Sequence, residues 1–263
     1  MRGEIIDHMG GSDSTDREEG FRIESVLVGI PFHSKYVTHV EYFEKNLPEL
    51  LNQCPDHACI YVDANGCAEE VIDALQGLAQ RVKQIELHIE KQGGRPHSLN
   101  RITEKAINDL FDVVIFLNDD LVLGRDTLRQ ILERLQHEEI IGGLSRPLDP
   151  RRNNEMISMA QLALVNYYLE QVKPENWKFS GDCFGIRRSL LEQLKPAVSQ
   201  RFVFPQLHSD DLVLPMTLER VRGIKKIPIQ FDASVYFYPP KTWKQCTHRI
   251  ARHLQGGRQA FHG

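Results

Sequence analysis

The run Val113–Leu117 is the sequence feature that most restricts how this chain can fold. It contains five consecutive apolar residues and is followed at once by Asn118, Asp119 and Asp120. A continuous apolar run of this length is typical of a strand that is covered on both faces, as in a parallel sheet with helices on either side. The sequence therefore predicts the central strand of an α/β sheet, and this strand ends in a polar, acidic cluster.

Strand-like and helix-like segments alternate on both sides of this run. The predicted segments before it are strands at 25–31, 58–63 and 85–89 and helices at about 40–51 and 71–82. We predict two further helices, one capped by Ser98 and one capped by Asp126, because both residue types favour the N-cap position. Strands that alternate with helices imply a mostly parallel, Rossmann-like central sheet with right-handed crossovers, flanked by helices.

The second half of the chain is less regular. The predicted segments there are helices at 156–169, 187–194, 210–221 and 242–254 and one or two strands within 227–237. No linker separates the halves. We therefore expect a single domain over residues 21–263, with a regular half at about 21–145 and a smaller, less regular half at about 146–263.

Charge is distributed unevenly along the 263 residues. Residues 1–20 hold two basic and six acidic residues and are predicted to be a disordered acidic tail. Basic and acidic residues balance in the rest of the chain, which argues against a nucleic-acid surface, whereas residues 241–263 are basic and contain no acid. We expect a cytoplasmic protein with free thiols, because no apolar run reaches the ~18 residues of a membrane span and the five cysteines form no regular framework.

Polar side chains follow three of the predicted strands where each strand ends. His33 follows the first strand, Asp63 ends the second, and Asn118–Asp120 follows the fourth. Ligands of parallel sheets bind at the carboxyl ends of strands, and oxygen ligands of this kind suit Mg²⁺ or Mn²⁺. The alternative interpretation is a turn cluster, because Asp and Asn are common turn residues.

Two further clusters lie near the C-terminus. Asp210 and Asp211 come at the start of a predicted helix, where they could act as a general base or only as an N-cap. Arg249 and Arg252 lie one helical turn apart and could bind one anion or form a solvated basic face.

Taken together, these motifs resemble the inverting family 2 glycosyltransferases of GT-A fold over residues 24–259. The family's first strand ends in proline, as at Pro31, and its second ends in an aspartate that contacts the nucleotide, as at Asp63. Asn118–Asp120 matches its D-x-D motif, and Asp210–Asp211 matches its late acidic pair. The run Arg249–His253 is similar to its terminal Q-x-x-R-W motif.

The resemblance implies transfer of a sugar from a nucleotide-diphosphate sugar to an acceptor hydroxyl by a single displacement. It implies that Asp211, with Asp210 beside it, supplies the base, and that Asp120, joined by His253, holds Mn²⁺ or Mg²⁺. The implied donor-binding residues are Pro31, His33, Asp63, Asn65, Arg101, Asn118, Asp119, Arg249 and Arg252. The implied acceptor-side residues are Trp177, Gly181 and Asp182. The acceptor would be a glycan, a lipid-linked compound or a small molecule. The resemblance also implies that residues at about 21–145 form the nucleotide-binding half of the domain and that residues at about 146–263 form the acceptor-binding half.

The sequence departs from the family pattern at three positions. Asn118 replaces the first aspartate of D-x-D, which leaves the metal mainly to Asp120, and Arg249 and His253 replace the Gln and Trp of the terminal motif. The replacements at Arg249 and His253 weaken the analogy to processive polysaccharide synthases. Two alternatives stay open: a nucleotidyltransferase, although the loop Pro31–Lys35 lacks that class's glycines, and a non-catalytic protein that binds nucleotide-sugars.

Overall fold

The structure is a computed structural model that describes residues 21–91, 94–148, 179–198 and 210–238. These residues contain eight strands and six α-helices. In chain order they are β1 (Val26–Phe32), α1 (Val37–Gln53), β2 (Cys59–Asn65), α2 (Glu69–Arg81), β3 (Ile85–Glu90), α3 (Arg95–Asn108), β4 (Val113–Leu117), β5 (Leu121–Leu123), α4 (Thr127–Leu135), β6 (Ile140–Pro147), β7 (Cys183–Arg187), α5 (Arg188–Val198), α6 (Asp210–Arg222) and β8 (Ile229–Phe237).

All eight strands form one sheet in the order β3-β2-β1-β4-β7-β6-β8-β5. The first four are parallel: β1 pairs with both β2 and β4, and β2 pairs with β3. The predicted α/β architecture and the predicted positions of these four strands are therefore confirmed to within two residues at each end. Because the strands are parallel and adjacent, the carboxyl ends of β1, β2 and β4 lie at the same edge of the sheet.

The other half of the sheet is mixed. β7 is antiparallel to β4 and to β6, β8 is parallel to β6, and β5 is antiparallel to β8. The sequence analysis did not predict β5, β6 or β7. Arg187, the predicted first residue of a helix, is the last residue of β7, and α5 begins one residue later.

Helices cover both faces of the sheet, as the apolar run of β4 requires. Alternate residues of β4 point to opposite sides, so that Val113, Ile115 and Leu117 pack with α1, α2 and α4. Val114 and Phe116 pack on the other side with α3, α5 and α6. All five side chains are buried, which explains why the run has no polar face.

Helix α3 packs closely against β1. A Cβ atom at Gly29 would collide with the side chain of Ile102, so the glycine allows the helix to lie against the strand. The helix begins at Arg95 after the N-cap Gly94, with proline in its first turn. The predicted cap at Ser98 is therefore wrong, because Ser98 lies inside the helix and is buried.

The predicted cap of α4 is correct in position but not in contact. Asp126 occupies the N-cap in a left-handed conformation, with φ of 57°, and its side chain makes no capping hydrogen bond. Gln53, at the end of α1, replaces it: its Oε1 accepts a hydrogen bond of 3.0 Å from the N–H of Leu128. The start of α4 is thus tied to α1.

Several other predictions can be placed against the structure. Cys54, Cys59, Cys67 and Cys183 are free thiols, as predicted. Within the described ranges, no helix combines the length and the hydrophobicity that crossing a membrane demands. The predicted acidic tail at 1–20 and the predicted helices at 156–169 and 242–254 lie outside the described residues.

Candidate active site

The edge formed by the carboxyl ends of β1, β2 and β4 brings together residues that the sequence placed there. Pro31 pairs in register with Asp63, so the end of β1 lies beside the end of β2. β4, on the other side of β1, ends immediately before Asn118. The predicted convergence of these three strand ends is confirmed.

The loop after β1 is fastened to the end of β2. His33 Nδ1 donates a hydrogen bond to the backbone oxygen of Asn65, and Lys35 Nζ donates one of 2.5 Å to the backbone oxygen of Gly66. Gly66 has a φ of +61°, which a glycine adopts without strain, and a Cβ there would lie 3.3 Å from the His33 ring. These contacts hold His33 at the rim of the edge.

Asp63 is fully buried and paired with Arg101. Arg101 Nε and one terminal nitrogen each donate a hydrogen bond of 2.9 Å to a different carboxylate oxygen of Asp63. His88 Nε2 lies 3.9 Å from the first of these oxygens. Bidentate pairing of this kind occupies both oxygens and neutralises the buried charge, so Asp63 and Arg101 act on each other in this structure.

Asn118 is the centre of a hydrogen-bond network that joins three parts of the chain. Its Oδ1 accepts a hydrogen bond from Arg95, at the start of α3, and its Nδ2 donates one of 2.8 Å to Asp182 Oδ1. Ser180 Oγ donates to the other carboxylate oxygen of Asp182 at 2.9 Å. Both polar atoms of the Asn118 side chain therefore have protein partners.

Arg95 is a residue of this site that the sequence analysis missed. Besides Asn118, it binds the backbone oxygen of Gly181 at 2.8 Å, so it connects the end of β4 to the segment before β7. Its position after two glycines and at a helix start was the available signal. The partners are 23 and 86 residues away in sequence, and only the fold reveals them.

Asp119 and Asp120 are adjacent acids, and the ionised form of Asp119 is unfavourable in this environment. Burial, together with the negative charge of Asp120, raises the pKa of Asp119 to about 7. The guanidinium of Arg95 and the backbone N–H of His33 act in the opposite direction but do not offset that rise. An additional cation at this pair would relieve the repulsion, and oxygen ligands of this type suit a divalent metal ion.

The carboxylates of Asp119 and Asp120 are the side chains here that could bind a metal ion. No group of three or more His, Cys, Asp or Glu side chains suited to a metal ion occurs in the described part of the chain. Two adjacent carboxylates nevertheless match the way proteins bind Mg²⁺ through one or two carboxylates and substrate phosphates. The residues present therefore fit a metal ion that is shared with a phosphate ligand.

The structure describes some of the remaining predicted site residues and not others. Gly181 and Asp182 lie beside Asn118, through the contacts given above. Helix α6 begins at Asp210, so Asp210 and Asp211 form its start, as predicted. Trp177, Arg249, Arg252 and His253 lie outside the described residues.

Comparison with known proteins shows the family to which this chain belongs. A model of the family described as "Glycosyltransferase like family 2" matches residues 39–256, most of the chain. This chain belongs to glycosyltransferase family 2. The resemblance seen in the sequence motifs is therefore confirmed. No curated protein matches the chain.

Solved structures support the same fold. The mannosyltransferase PcManGT from Pyrobaculum calidifontis, in complex with GDP-Man and Mn²⁺, superposes with a TM-score of 0.63 at 17% identity, over 92% of this chain and 65% of its own. TarS 1–349 of S. aureus, in complex with UDP-GlcNAc, superposes with a TM-score of 0.56 at 14% identity, over 85% of this chain and 61% of its own. The family 2 chain thus has a GT-A fold and spans less than two thirds of the length of either neighbour.

Proposed function

We propose that this family 2 glycosyltransferase is an inverting, divalent-cation-dependent enzyme that moves a sugar from a nucleotide-diphosphate sugar to an acceptor hydroxyl. The observation that carries the proposal is the edge where β1, β2 and β4 end, with the Asp119–Asp120 pair just after the end of β4. The neighbours in complex with GDP-Man and UDP-GlcNAc support a donor of this class.

Residues from several elements would bind the donor at this edge. The rim holds Pro31, His33 and Asn65, which lie together because β1 and β2 pair in register and the His33 ring is bonded to the backbone of Asn65. Asp63 and Arg101, as a neutral pair, would form the floor beneath the nucleoside. Arg249 and Arg252 are proposed to stabilise negative charge on the diphosphate, because guanidinium groups bind phosphate strongly.

The metal ion would be held by Asp120, with Asp119 beside it and His253 as a further ligand. When bound there, the ion supplies positive charge that stabilises the departing diphosphate. Asn118 is bonded to Arg95 and Asp182, so its proposed role is to fix the start of the acidic pair.

The proposed reaction is a single displacement. The oxygen of the acceptor hydroxyl forms a bond to the anomeric carbon while the bond from that carbon to the diphosphate oxygen breaks. The nucleoside diphosphate leaves with the electron pair of the broken bond. The hydroxyl proton passes to the carboxylate of Asp211, which acts as general base with Asp210 beside it at the start of α6.

The acceptor is proposed to approach from the segment before β7. Gly181 and Asp182 lie next to Asn118, so an acceptor that contacts them would lie close to the donor end of the site. Trp177, four residues earlier, could stack on a sugar ring of the acceptor.

Donor turnover tests the proposal. The full chain is incubated with UDP-, GDP- and dTDP-sugars and Mn²⁺, and release of the nucleoside diphosphate is measured for the unaltered protein and for Asp211→Asn. Loss of a general base should lower the rate by ~10²–10⁴-fold. Asp56→Asn is the matched control, because Asp56 is an exposed aspartate before β2, at the opposite edge of the sheet. Equal rates in Asp211→Asn and the control would contradict the proposed base.

A further inference from the structure

Arg95, the first residue of α3, binds two segments that come from different parts of the chain. One terminal nitrogen of its guanidinium donates a hydrogen bond to Asn118 Oδ1, just after β4. The other donates one of 2.8 Å to the backbone oxygen of Gly181, just before β7. A guanidinium is a rigid, planar fork, so these two hydrogen bonds fix the separation of the two oxygens that accept them.

The segment 180–182 also binds the end of β4 directly. The backbone N–H of Asn118 donates a hydrogen bond of 3.0 Å to the backbone oxygen of Asp182, and Asn118 Nδ2 donates one of 2.8 Å to Asp182 Oδ1. Ser180 Oγ donates to Asp182 Oδ2 at 2.9 Å and accepts a hydrogen bond of 3.1 Å from Ser145 of β6. Arg95 is therefore one member of a hydrogen-bond network that holds this segment against Asn118.

The guanidinium of Arg95 is carried by a rigid part of the fold. Gly94 is the N-cap of α3, and proline occupies the first turn of the helix. The helix lies so close to β1 that Gly29 has no room for a Cβ atom, and β1 pairs with β4. Groups on helices and strands are held more precisely than groups on loops. Arg95 can therefore transmit the position of the sheet to the segment 180–182.

The two segments that Arg95 joins have different roles in the proposed reaction. Asn118 directly precedes the Asp119–Asp120 pair, which would hold the cation, and the segment 180–182 would contact the acceptor. A displacement requires the attacking oxygen and the anomeric carbon to lie about 3–3.5 Å apart, and an error of about 1 Å can lower the rate by ~10²-fold. A residue that fixes both segments therefore affects the rate even without contact with a substrate.

We infer that Arg95 is a positioning residue that sets the separation between the Asp119–Asp120 pair and the acceptor-side segment 180–182, and so acts on turnover more than on donor affinity. This inference rests on the proposed function, because the roles of the two segments come from it. It also requires both hydrogen bonds of Arg95. Lysine keeps the positive charge but has a single ammonium nitrogen, so it cannot reproduce the planar fork.

Steady-state kinetics of the full chain test the effect on turnover. Release of the nucleoside diphosphate is measured with UDP- and GDP-sugars and Mn²⁺, with water as the acceptor, for the unaltered protein, Arg95→Met and Arg95→Lys. In both variants kcat should fall by about tenfold or more, while KM for the donor should stay within about threefold. A higher KM with unchanged kcat would show that Arg95 binds the donor, and full activity of Arg95→Lys would show that its charge alone matters. Either result would overturn the inference.

Arg188→Met is the matched control. Arg188 is also the first residue of a helix, and its Nε donates a hydrogen bond of 3.0 Å to the backbone oxygen of Phe111. It lies at the opposite edge of the sheet, because it follows β7, which is antiparallel to β4. Its kcat and KM should match those of the unaltered protein. Equal kinetics in Arg95→Met and Arg188→Met would overturn the role of Arg95 and leave the proposed function intact.

Hydrogen exchange provides a readout that does not depend on turnover. The amide of Asn118, bonded to the backbone of Asp182, should exchange at least about tenfold faster in Arg95→Met, because the segment 180–182 is held less firmly. The amides of β2 should exchange as in the unaltered protein, which separates local loosening from a general loss of stability. Arg95→Lys serves as the second variant if Arg95→Met does not fold. Unchanged exchange at Asn118 would contradict the bridge.

A double-mutant cycle tests whether Arg95 and Asp182 act together. Asp182→Ala removes the carboxylate that binds Asn118 Nδ2, so its effect on kcat should overlap with that of Arg95→Met. The double variant should then lose little more than the more affected single variant. Fully additive losses would overturn the claim that the two residues hold one segment. Absence of donor turnover in the unaltered protein would instead contradict the proposed function itself.

Discussion

Two carboxylate positions at the same edge of the sheet differ in how their charge is balanced. Asp63, at the end of β2, is fully buried, and both of its oxygens receive hydrogen bonds from Arg101. Asp119, after β4, lies next to Asp120 and has its pKa raised to about 7. The sequence presents both as acids at strand ends. The comparison teaches that the neighbouring side chain decides what each acid does. Asp63, paired with Arg101, stabilises the fold, whereas Asp119, next to Asp120, is suited to bind a cation.

The largest expected effect concerns the acidic pair. Asp120→Asn should lower donor turnover by on the order of 10²-fold or more, because the proposed metal ion loses its principal ligand. Initial rates of nucleoside diphosphate release measure the effect. Unchanged turnover would place Asp120 outside the site.

Asp63→Asn should chiefly lower the free energy of unfolding. The substitution leaves Arg101 facing a neutral amide, and breaking a buried pair by changing one partner costs about 3 kcal/mol in the free energy of unfolding. Glu44→Gln is the control, because Glu44 pairs with Arg81 at 2.8 Å on the exposed surface, and such pairs contribute less than about 1 kcal/mol. If both variants lose the same stability in urea denaturation, the distinction between a supporting and a ligand-binding acid fails.

The pH dependence of cation binding tests whether Asp119, in contrast to Asp63, binds the metal ion. Asp119 is largely protonated below its pKa of about 7, and a cation must displace that proton to use the carboxylate. Mn²⁺ affinity should therefore rise with pH by up to about tenfold per unit below pH 7 and level off above it. In Asp119→Asn the rise of Mn²⁺ affinity with pH should be smaller. A flat profile in the unaltered protein would show that Asp119 does not titrate against the metal ion.

The smallest expected effect concerns Asn118. Asn118→Asp restores the family motif but places a carboxylate against Asp182 in place of the donated hydrogen bond of 2.8 Å. The free energy of unfolding should fall by about 1 kcal/mol, and turnover should not rise, because the position is occupied by protein contacts. An increase in turnover would indicate that Asn118 faces the metal ion and not the network.

Much of the parallel half was predictable because its signals are local. The apolar run Val113–Leu117 and the proline that ends the first strand are visible in short stretches of sequence. Once those strands are parallel, the meeting of His33, Asp63 and Asn118 follows from topology alone. The family motifs added the late acidic pair, which begins α6 as predicted.

The rest depended on contacts between distant parts of the chain. β6 contains two glycines and polar residues, and β7 has five residues, so neither has a clear strand pattern. Their strand structure comes from pairing with each other and with β4. Arg95 and the engagement of Asp63 by Arg101 were hidden for the same reason, because a side-chain partner 38 residues away leaves no local signal.

Binding of a nucleoside diphosphate with and without Mn²⁺ is the most direct test of the claim that this edge is a cation-dependent nucleotide site. Calorimetry on the full chain should show that Mn²⁺ tightens GDP or UDP by at least about tenfold, and that Asp120→Asn removes this gain. Equal affinity with and without Mn²⁺ in both proteins would contradict the account.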